Sequence, residues 1–344
     1  MKRVRIHRVP DGLAIQSRLR LRTHLGKGWM RMTFFIDEIT RRAAMSRIAA
    51  LFAAAETLPA PSYASPEAPD DPTVGRHIVF ADNFSEIDWS RWDAGPKATT
   101  DPSGYYGRSA FSRRGGESKF NPYSIVDDPR TANGKALEIA ARYIGHQMNI
   151  PNYYGNSLPE YQWVSGNLQG ARPNGELLMG WREGYFEARM LFPRHPLTWA
   201  AFWLLNKNSI LKPAASIEID IVEQKGWEPH QHGSYLHEWG MPGEHNEGTG
   251  NTTKVDMTKQ YNLYGVLIAG DKCAPYFNRK PVLSDTTGAP VRWVIRRSIE
   301  MADSSDVFFP LLTLALRSDV PYPNPLSEAD KSSRMLVDYF RVYQ

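Results

Sequence analysis

From Gly184 to Phe192 the chain alternates without interruption: Phe186, Ala188, Met190 and Phe192 fall on one side, Tyr185, Glu187 and Arg189 on the other. Side chains two positions apart share a face in an extended strand, so the stretch is suited to a strand with one face buried. Similar short runs, bounded by Gly, Pro, Asn and Asp, recur at 136–142, 202–205, 217–224, 235–239, 262–268, 308–316 and 336–343. Nothing beyond the N-terminal leader carries the period of a long helix. The expected fold is all-β, with two antiparallel sheets packed face to face.

One of these runs, Ser216-Ile-Glu-Ile-Asp-Ile-Val-Glu-Gln224, sets three acids among residues suited to burial. Glu218 and Asp220 share a face opposite Ile217, Ile219 and Ile221, but plain alternation would send Glu223 inward. A β-bulge between Asp220 and Glu223 returns Glu223 to the acidic face, and bulges are frequent beside active sites. The spacing thus predicts three converging carboxyl groups, and it predicts that removing Val222 turns Glu223 inward. Three acids so close cannot all ionise freely, so one holds a proton near neutral pH. Glycoside hydrolysis with retention needs such a set: one carboxylate to attack the anomeric carbon and one carboxylic acid to protonate the departing oxygen, roughly 5–5.5 Å apart. An exposed acidic strand face, or a calcium site made of acids, is the competing reading of the spacing alone.

The acidic strand resembles the active-site signature of the family 16 glycoside hydrolases in its bulged E-x-D-x-x-E form, the group of laminarinases, lichenases, agarases and carrageenases. Gly184-Tyr-Phe-Glu-Ala-Arg-Met190 and Trp199-Ala-Ala-Phe-Trp-Leu-Leu205 resemble the segments that precede that signature, and Met335-Leu-Val-Asp-Tyr-Phe-Arg-Val-Tyr343 the closing strand. Ile78-Val-Phe-Ala-Asp-Asn-Phe84 and Trp163-Val-Ser-Gly-Asn-Leu168 are similar to the opening ones. The resemblance implies a jelly-roll sandwich whose bent inner sheet offers a concave cleft. It implies Glu218 as nucleophile, Glu223 as general acid/base, and Asp220 as the carboxyl group that hydrogen-bonds and tunes the nucleophile. It also implies that His237 lies on the next strand facing the cleft, within reach of Asp220 or the sugar.

The C–H faces of a pyranose are apolar, so a sugar cleft wants aromatic platforms. Trp203 is the leading candidate, because the family commonly stacks a sugar there. Trp199, Trp163, Trp181 and Trp239 follow, with Tyr153, Tyr154 and Tyr161 on loops; Arg182 and Asn167 are candidates for polar sugar contacts. Two departures bear on the substrate. Lys212-Pro-Ala-Ala-Ser-Ile217 lacks the tryptophan of the laminarinase-like W-P-x-S-G, and Tyr261-Asn-Leu-Tyr-Gly-Val-Leu-Ile268 lacks the His and Trp of F-H-x-Y-x-x-x-W. A β-1,3- or mixed-linked β-glucan is the leading substrate, with galactans and acidic bacterial exopolysaccharides as alternatives. A transglycosylase, or a non-catalytic carbohydrate-binding jelly roll, would share the fold. Retention of all three acids favours catalysis over binding alone.

Charge separates leader from domain. Residues 1–64 hold 12 Lys and Arg against 4 Asp and Glu, leaving 29 against 33, or −4, for residues 65–344. No basic nucleic-acid footprint remains in the domain. Thr40-Arg41-Arg42, the mostly apolar 43–55 and Ser62-Tyr63-Ala64 read as a twin-arginine-type export signal, too short in its apolar part to span a membrane. The expected organisation is a leader over 1–64, a Pro-rich linker over 65–75 and a catalytic domain over 76–344, secreted or periplasmic and monomeric. The single cysteine, Cys273, excludes an intramolecular disulfide. His230, His232 and His237 match no tight zinc pattern. No metal or cofactor is required by the expected chemistry, and no motif indicates structural calcium.

Overall fold

Seven strands make the sheet that carries the acids: β1 (Asp93–Ala94), β2 (Asn167–Gln169), β3 (Thr198–Asn206), β4 (Ile217–Lys225), β5 (Gln231–Glu238), β6 (His245–Thr252) and β7 (Phe308–Leu316). Their spatial order is β6-β5-β4-β3-β7-β2-β1, antiparallel throughout. A second sheet of eleven strands packs against it, with Gly184–Leu191 paired between Asn262–Ala269 and the closing strand Ser332–Tyr343. The fold is a β-sandwich, as the alternation predicts.

These observations come from a computed structural model, which describes residues 17–19, 32–34, 69–94, 110–111, 120–146, 162–172, 174–210, 216–239, 244–296, 306–317 and 325–344. The chain divides into two units, residues 1–67 and 68–344. In the first, Ser17–Leu19 pairs antiparallel with Met32–Phe34. The proposed signal around Arg41-Arg42 and Ser62-Tyr63-Ala64 lies outside the described residues, as do Tyr153, Tyr154 and Tyr161. Residues 69–75, expected in the linker, instead form turns on the domain. Pro72 is buried, and the Tyr276 hydroxyl donates to the Pro69 carbonyl at 3.1 Å.

The core lies between the sheets. Phe186, Ala188 and Met190 enter it from one side, and Phe202, Leu204, Ile217, Ile219, Ile221, Val222 and Leu312 from the other. Phe186, Phe202 and Phe340 are fully buried, each stabilising the sandwich by about 1.5–3 kcal/mol. With Cys273 a free, buried thiol, this packing is the main source of stability. On the far face of the larger sheet Glu187 is also buried, held by two bonds from Arg279 at 2.8 and 2.9 Å and one from the Tyr339 hydroxyl at 3.0 Å. A buried carboxylate with this many donors is satisfied and structural.

Gly166 is where the chain changes sheets. Trp163–Ser165 pairs in the larger sheet with Arg142 and Tyr143, whereas β2 begins at Asn167 in the smaller one. A Cβ at Gly166 would meet Ile139 at 2.7 Å and Tyr123 at 2.8 Å, so the crossing passes too close to the core for any side chain.

Candidate active site

The register of β4 brings the acids together. Glu218 lies opposite Leu205 and His237, Asp220 opposite Trp203 and Tyr235, and Glu223 opposite Ala201 and Gly233. Both pairings slip between Asp220 and Glu223, as E-x-D-x-x-E predicts: Ile221 and Val222 together face Ser234, whose hydroxyl donates to the Ile221 carbonyl at 2.8 Å. Both bulge side chains are buried in the core. This corrects the expectation for Val222. Removing one of two inward residues leaves Ile221 inward and Glu223 outward, so parity survives the deletion.

On the outer face of this sheet, Tyr235, His237 and Trp239 form a stacked ladder beside the acids. Ring centroids are 5.9 Å apart for Tyr235 and His237, and 4.8 Å for His237 and Trp239, the planes tilted by 20° and 16°. Gly233 and Gly248 make room for it, since a Cβ at either would stand 2.3 Å from an atom of Tyr235. The Trp239 indole N–H donates to Glu218 Oε2 at 3.0 Å, a contact that stabilises negative charge there. His237 Nδ1 lies 2.7 Å from Asn246 Oδ1, and its Nε2 lies 3.4 Å from Asp220 Oδ2. If Nδ1–H donates to Asn246, Nε2 is left to accept a proton shared by Asp220.

Electrostatics divide the three acids. Burial, then the charges of Glu218 and Glu223, holds the Asp220 carboxyl well above the usual aspartate range. Glu223 is pushed up to about 7, by burial first and Glu218 second, against the opposing pull of Lys225 and Trp199. The Trp199 indole N–H lies beside Glu223 close enough to favour its ionised form, short of a well-formed hydrogen bond. A neutral acid poised near neutrality next to an indole-supported carboxylate can donate a proton on one side of a bond while the other attacks.

Glu218, Asp220 and His237 bring ligating atoms within 4.8 Å of one another, the one grouping of metal-ligand spacing among the described residues. Its members are committed elsewhere: Glu218 accepts from Trp239, His237 bonds Asn246, and Asp220 favours its protonated form. That is a poor donor set for a hard cation, which wants ionised oxygens.

The remaining candidates separate. Trp199 and Trp203, four residues apart, lie on the same outer face of β3 as Ala201 and Leu205, with Trp203 directly opposite Asp220. Trp163 is a correction: it is wholly buried between the sheets, packed on Tyr143 and His195, and has no face for a sugar. Trp181 likewise packs on Phe80, Phe186 and Phe340. Asn167 is a second correction, for it is fully buried and acts through other groups. Trp203 Nε1 donates to Thr313 Oγ1 at 2.8 Å, Thr313 to Asn167 Oδ1 at 2.7 Å, Asn167 to Gln169 Oε1 at 3.0 Å, and Gln169 to the Ala171 carbonyl at 2.8 Å. This one-way chain of donors fixes the Trp203 ring. Arg182 is exposed beside Trp181, just before the larger sheet's Gly184–Leu191 strand rather than on the sheet that carries the acids. Thr313 and Gln169 were not anticipated; their alternation with buried Leu312 and Leu168 is the signal that would have placed them outward.

No protein-family model matches the chain, and no curated protein matches it in sequence. Solved structures do. The laminarinase catalytic domain of Thermotoga maritima is 22% identical, with 78% of this chain and 98% of that one covered and a TM-score of 0.54. A non-specific endo-β-1,3(4)-glucanase of family GH16 is 21% identical over 79% of this chain and 95% of its own, with a TM-score of 0.53. The laminarinase of Flavobacterium sp. UMI-01 is 19% identical over 78% of this chain and 100% of its own, with a TM-score of 0.52. The chain shares their fold.

Proposed function

We propose that this protein is a retaining endo-β-glycosidase of the family 16 type, acting on an extracellular polysaccharide with a β-1,3- or mixed-linked β-glucan backbone. The observation that carries the reading is the bulged strand, which sets Glu218, Asp220 and Glu223 on one face with two of the three biased towards their protonated forms. The likeness in fold to laminarinases and endo-β-1,3(4)-glucanases supports the glucan backbone.

Double displacement then runs as follows. Glu218 attacks the anomeric carbon as Glu223 passes its proton to the glycosidic oxygen, breaking the C–O bond and leaving a covalent glycosyl-enzyme. Glu223, now ionised, takes a proton from water as the water oxygen attacks the same carbon. Glu218 leaves, and the configuration is restored. Asp220, kept protonated by burial and sharing its proton with His237, places no second negative charge beside Glu218 while the ester forms and breaks. Trp203 supplies the stacking platform, held by Thr313 and Asn167. No cofactor enters these steps. The Arg41-Arg42 leader is proposed to export the protein, so that it meets its polymer outside the cytoplasm. No helix among the described residues is long and apolar enough to cross a membrane.

Kinetics on a natural glucan and on an activated aryl β-glycoside test the roles. Glu223→Ala should lose the glucan while still forming the glycosyl-enzyme from the aryl substrate, whose leaving group departs unprotonated; Glu218→Ala should lose both. NMR of the first product should show retained configuration, and an inverted product would end the double-displacement reading.

A further inference from the structure

The stacked rings of β5 are out of step with the backbone that carries them. In register, His237 stands opposite Glu218 and Tyr235 opposite Asp220, and the Trp239 backbone N–H, donating to the Ser216 carbonyl at 2.9 Å, extends the pairing by one residue. The side chains do not follow these pairs. Trp239 reaches Glu218 and His237 reaches Asp220, while the Tyr235 hydroxyl comes down over Gly233, the residue opposite Glu223. All three rings therefore lean the same way, each by one pair along the acidic face.

Two glycines permit the lean. Gly233 leaves room for the hydroxyl end of Tyr235, and Gly248, opposite Tyr235 on the edge strand β6, leaves room for its flank; a Cβ at either would hold the ring up. His237 then lies against Tyr235 and Trp239 against His237, and the contact of His237 with Asn246 on β6 fixes the middle ring. Trp239 sits just past the end of β5, where a side chain standing alone would turn freely. Braced on His237, its indole points its N–H at Glu218 Oε2, 3.0 Å away. The titratable groups that face Glu218 from the same sheet are Asp220 and Glu223 on its own strand and His237 on β5, whereas β3 presents Leu205 and Trp203.

We propose that Trp239 is a positioning residue for the nucleophile: braced by the stack of His237 and Tyr235, its indole N–H holds Glu218 as a carboxylate and steadies that charge again as the glycosyl-enzyme breaks down. The proposal rests on reading Glu218 as the nucleophile of a glycosidase. No proton changes hands at Trp239. A hydrogen bond to a carboxylate is stronger than one to the ester that replaces it, so the contact favours ionised Glu218 before attack and its departure afterwards.

The test is Trp239→Phe in the full-length protein, which keeps a ring against His237 and removes the N–H. The measurements are the pH profile of kcat/KM and burst kinetics on an activated aryl β-glycoside. The acidic limb of the profile should move up by about one pH unit, because Glu218 ionises less readily without its donor. Breakdown of the glycosyl-enzyme should slow about tenfold, so the burst of released phenol sharpens and kcat and KM fall together while the plateau of kcat/KM is held. A loss of packing alone would lower kcat/KM at every pH and leave the limb in place. If Trp239→Phe does not fold, exchanging the indole of Trp239 for benzothiophene, which replaces N–H by sulfur at nearly constant shape, carries the same expectation. Gly248→Ala lies on β6, beyond β5 from the acids, and should shift the limb in the same direction through the stack. An unmoved limb or an unchanged burst on removal of the N–H would overturn the positioning role and leave the glycosidase, and an unmoved limb in Gly248→Ala would overturn the bracing. Wild-type protein that cleaves neither a glucan nor the aryl glycoside would overturn both the positioning role and the glycosidase.

Discussion

The raised pKa of Glu223 should set the alkaline limit of activity. A carboxyl at about 7 is roughly nine-tenths protonated at pH 6 and one-tenth at pH 8, so kcat/KM on a neutral glucan should fall about tenfold per pH unit above 7. At the ordinary value of 4.5 the same group would be protonated in only about one molecule in 300 at pH 7, so its environment preserves activity worth about 3 kcal/mol of barrier there. The limb belongs to the coupled trio, and Asp220 shifts the same way. Stability carries the same sign. A group with a raised folded-state pKa binds its proton more tightly when folded; its contribution is complete below about 4.5 and is lost as pH climbs through about 7. Melting temperature should therefore decline across that window in the wild type and decline less in Glu223→Gln, which cannot ionise. The assay is a pH profile of kcat/KM beside thermal melts of both proteins. A limb with its midpoint below about 5.5, or identical melting profiles, would refute the reasoning.

Thr313→Val keeps the shape of the side chain but removes the bonds from Trp203 and to Asn167, each contributing about 0.5–1.5 kcal/mol. It should lower the melting temperature by several degrees and raise KM more than it lowers kcat, a split that a general loss of packing would not produce. If residues 40–64 work as an export signal, N-terminal sequencing of protein recovered outside the cytoplasm should begin near Ser65, and an intact leader on that protein would contradict export by this route.

What could be read from the sequence, and what could not, follows from parity. Within one strand the period of two can be counted, and an acid out of step with it marks a break, so the faces of Gly184–Leu191 and the bulge in β4 are both legible from residue order. Parity fails across a sheet change. Trp163 and Asn167 are four residues apart and so share a face by simple counting, but the chain crosses between sheets at Gly166 and the count restarts. Nothing local to Trp-Val-Ser-Gly-Asn tells on which side of the sandwich its tryptophan will finish. The network under Trp203 was hidden for another reason: Thr313 and Asn167 are far apart in sequence and meet only through strand pairing.

The bulge has a consequence for how this strand can vary by descent. Because Ile221 and Val222 both face the core, loss of a single codon there turns E-x-D-x-x-E into E-x-D-x-E without inverting anything beyond it. The proton donor would keep its place opposite Gly233, two positions along the neighbouring strand from Tyr235, and one buried valine would be lost. Elsewhere in a sheet a one-residue deletion turns the rest of the strand inside out. Here the two lengths of the motif are single-step neighbours that present the same three acids at the same positions of the neighbouring strand, so the strand can gain or lose its bulge while every residue keeps its face.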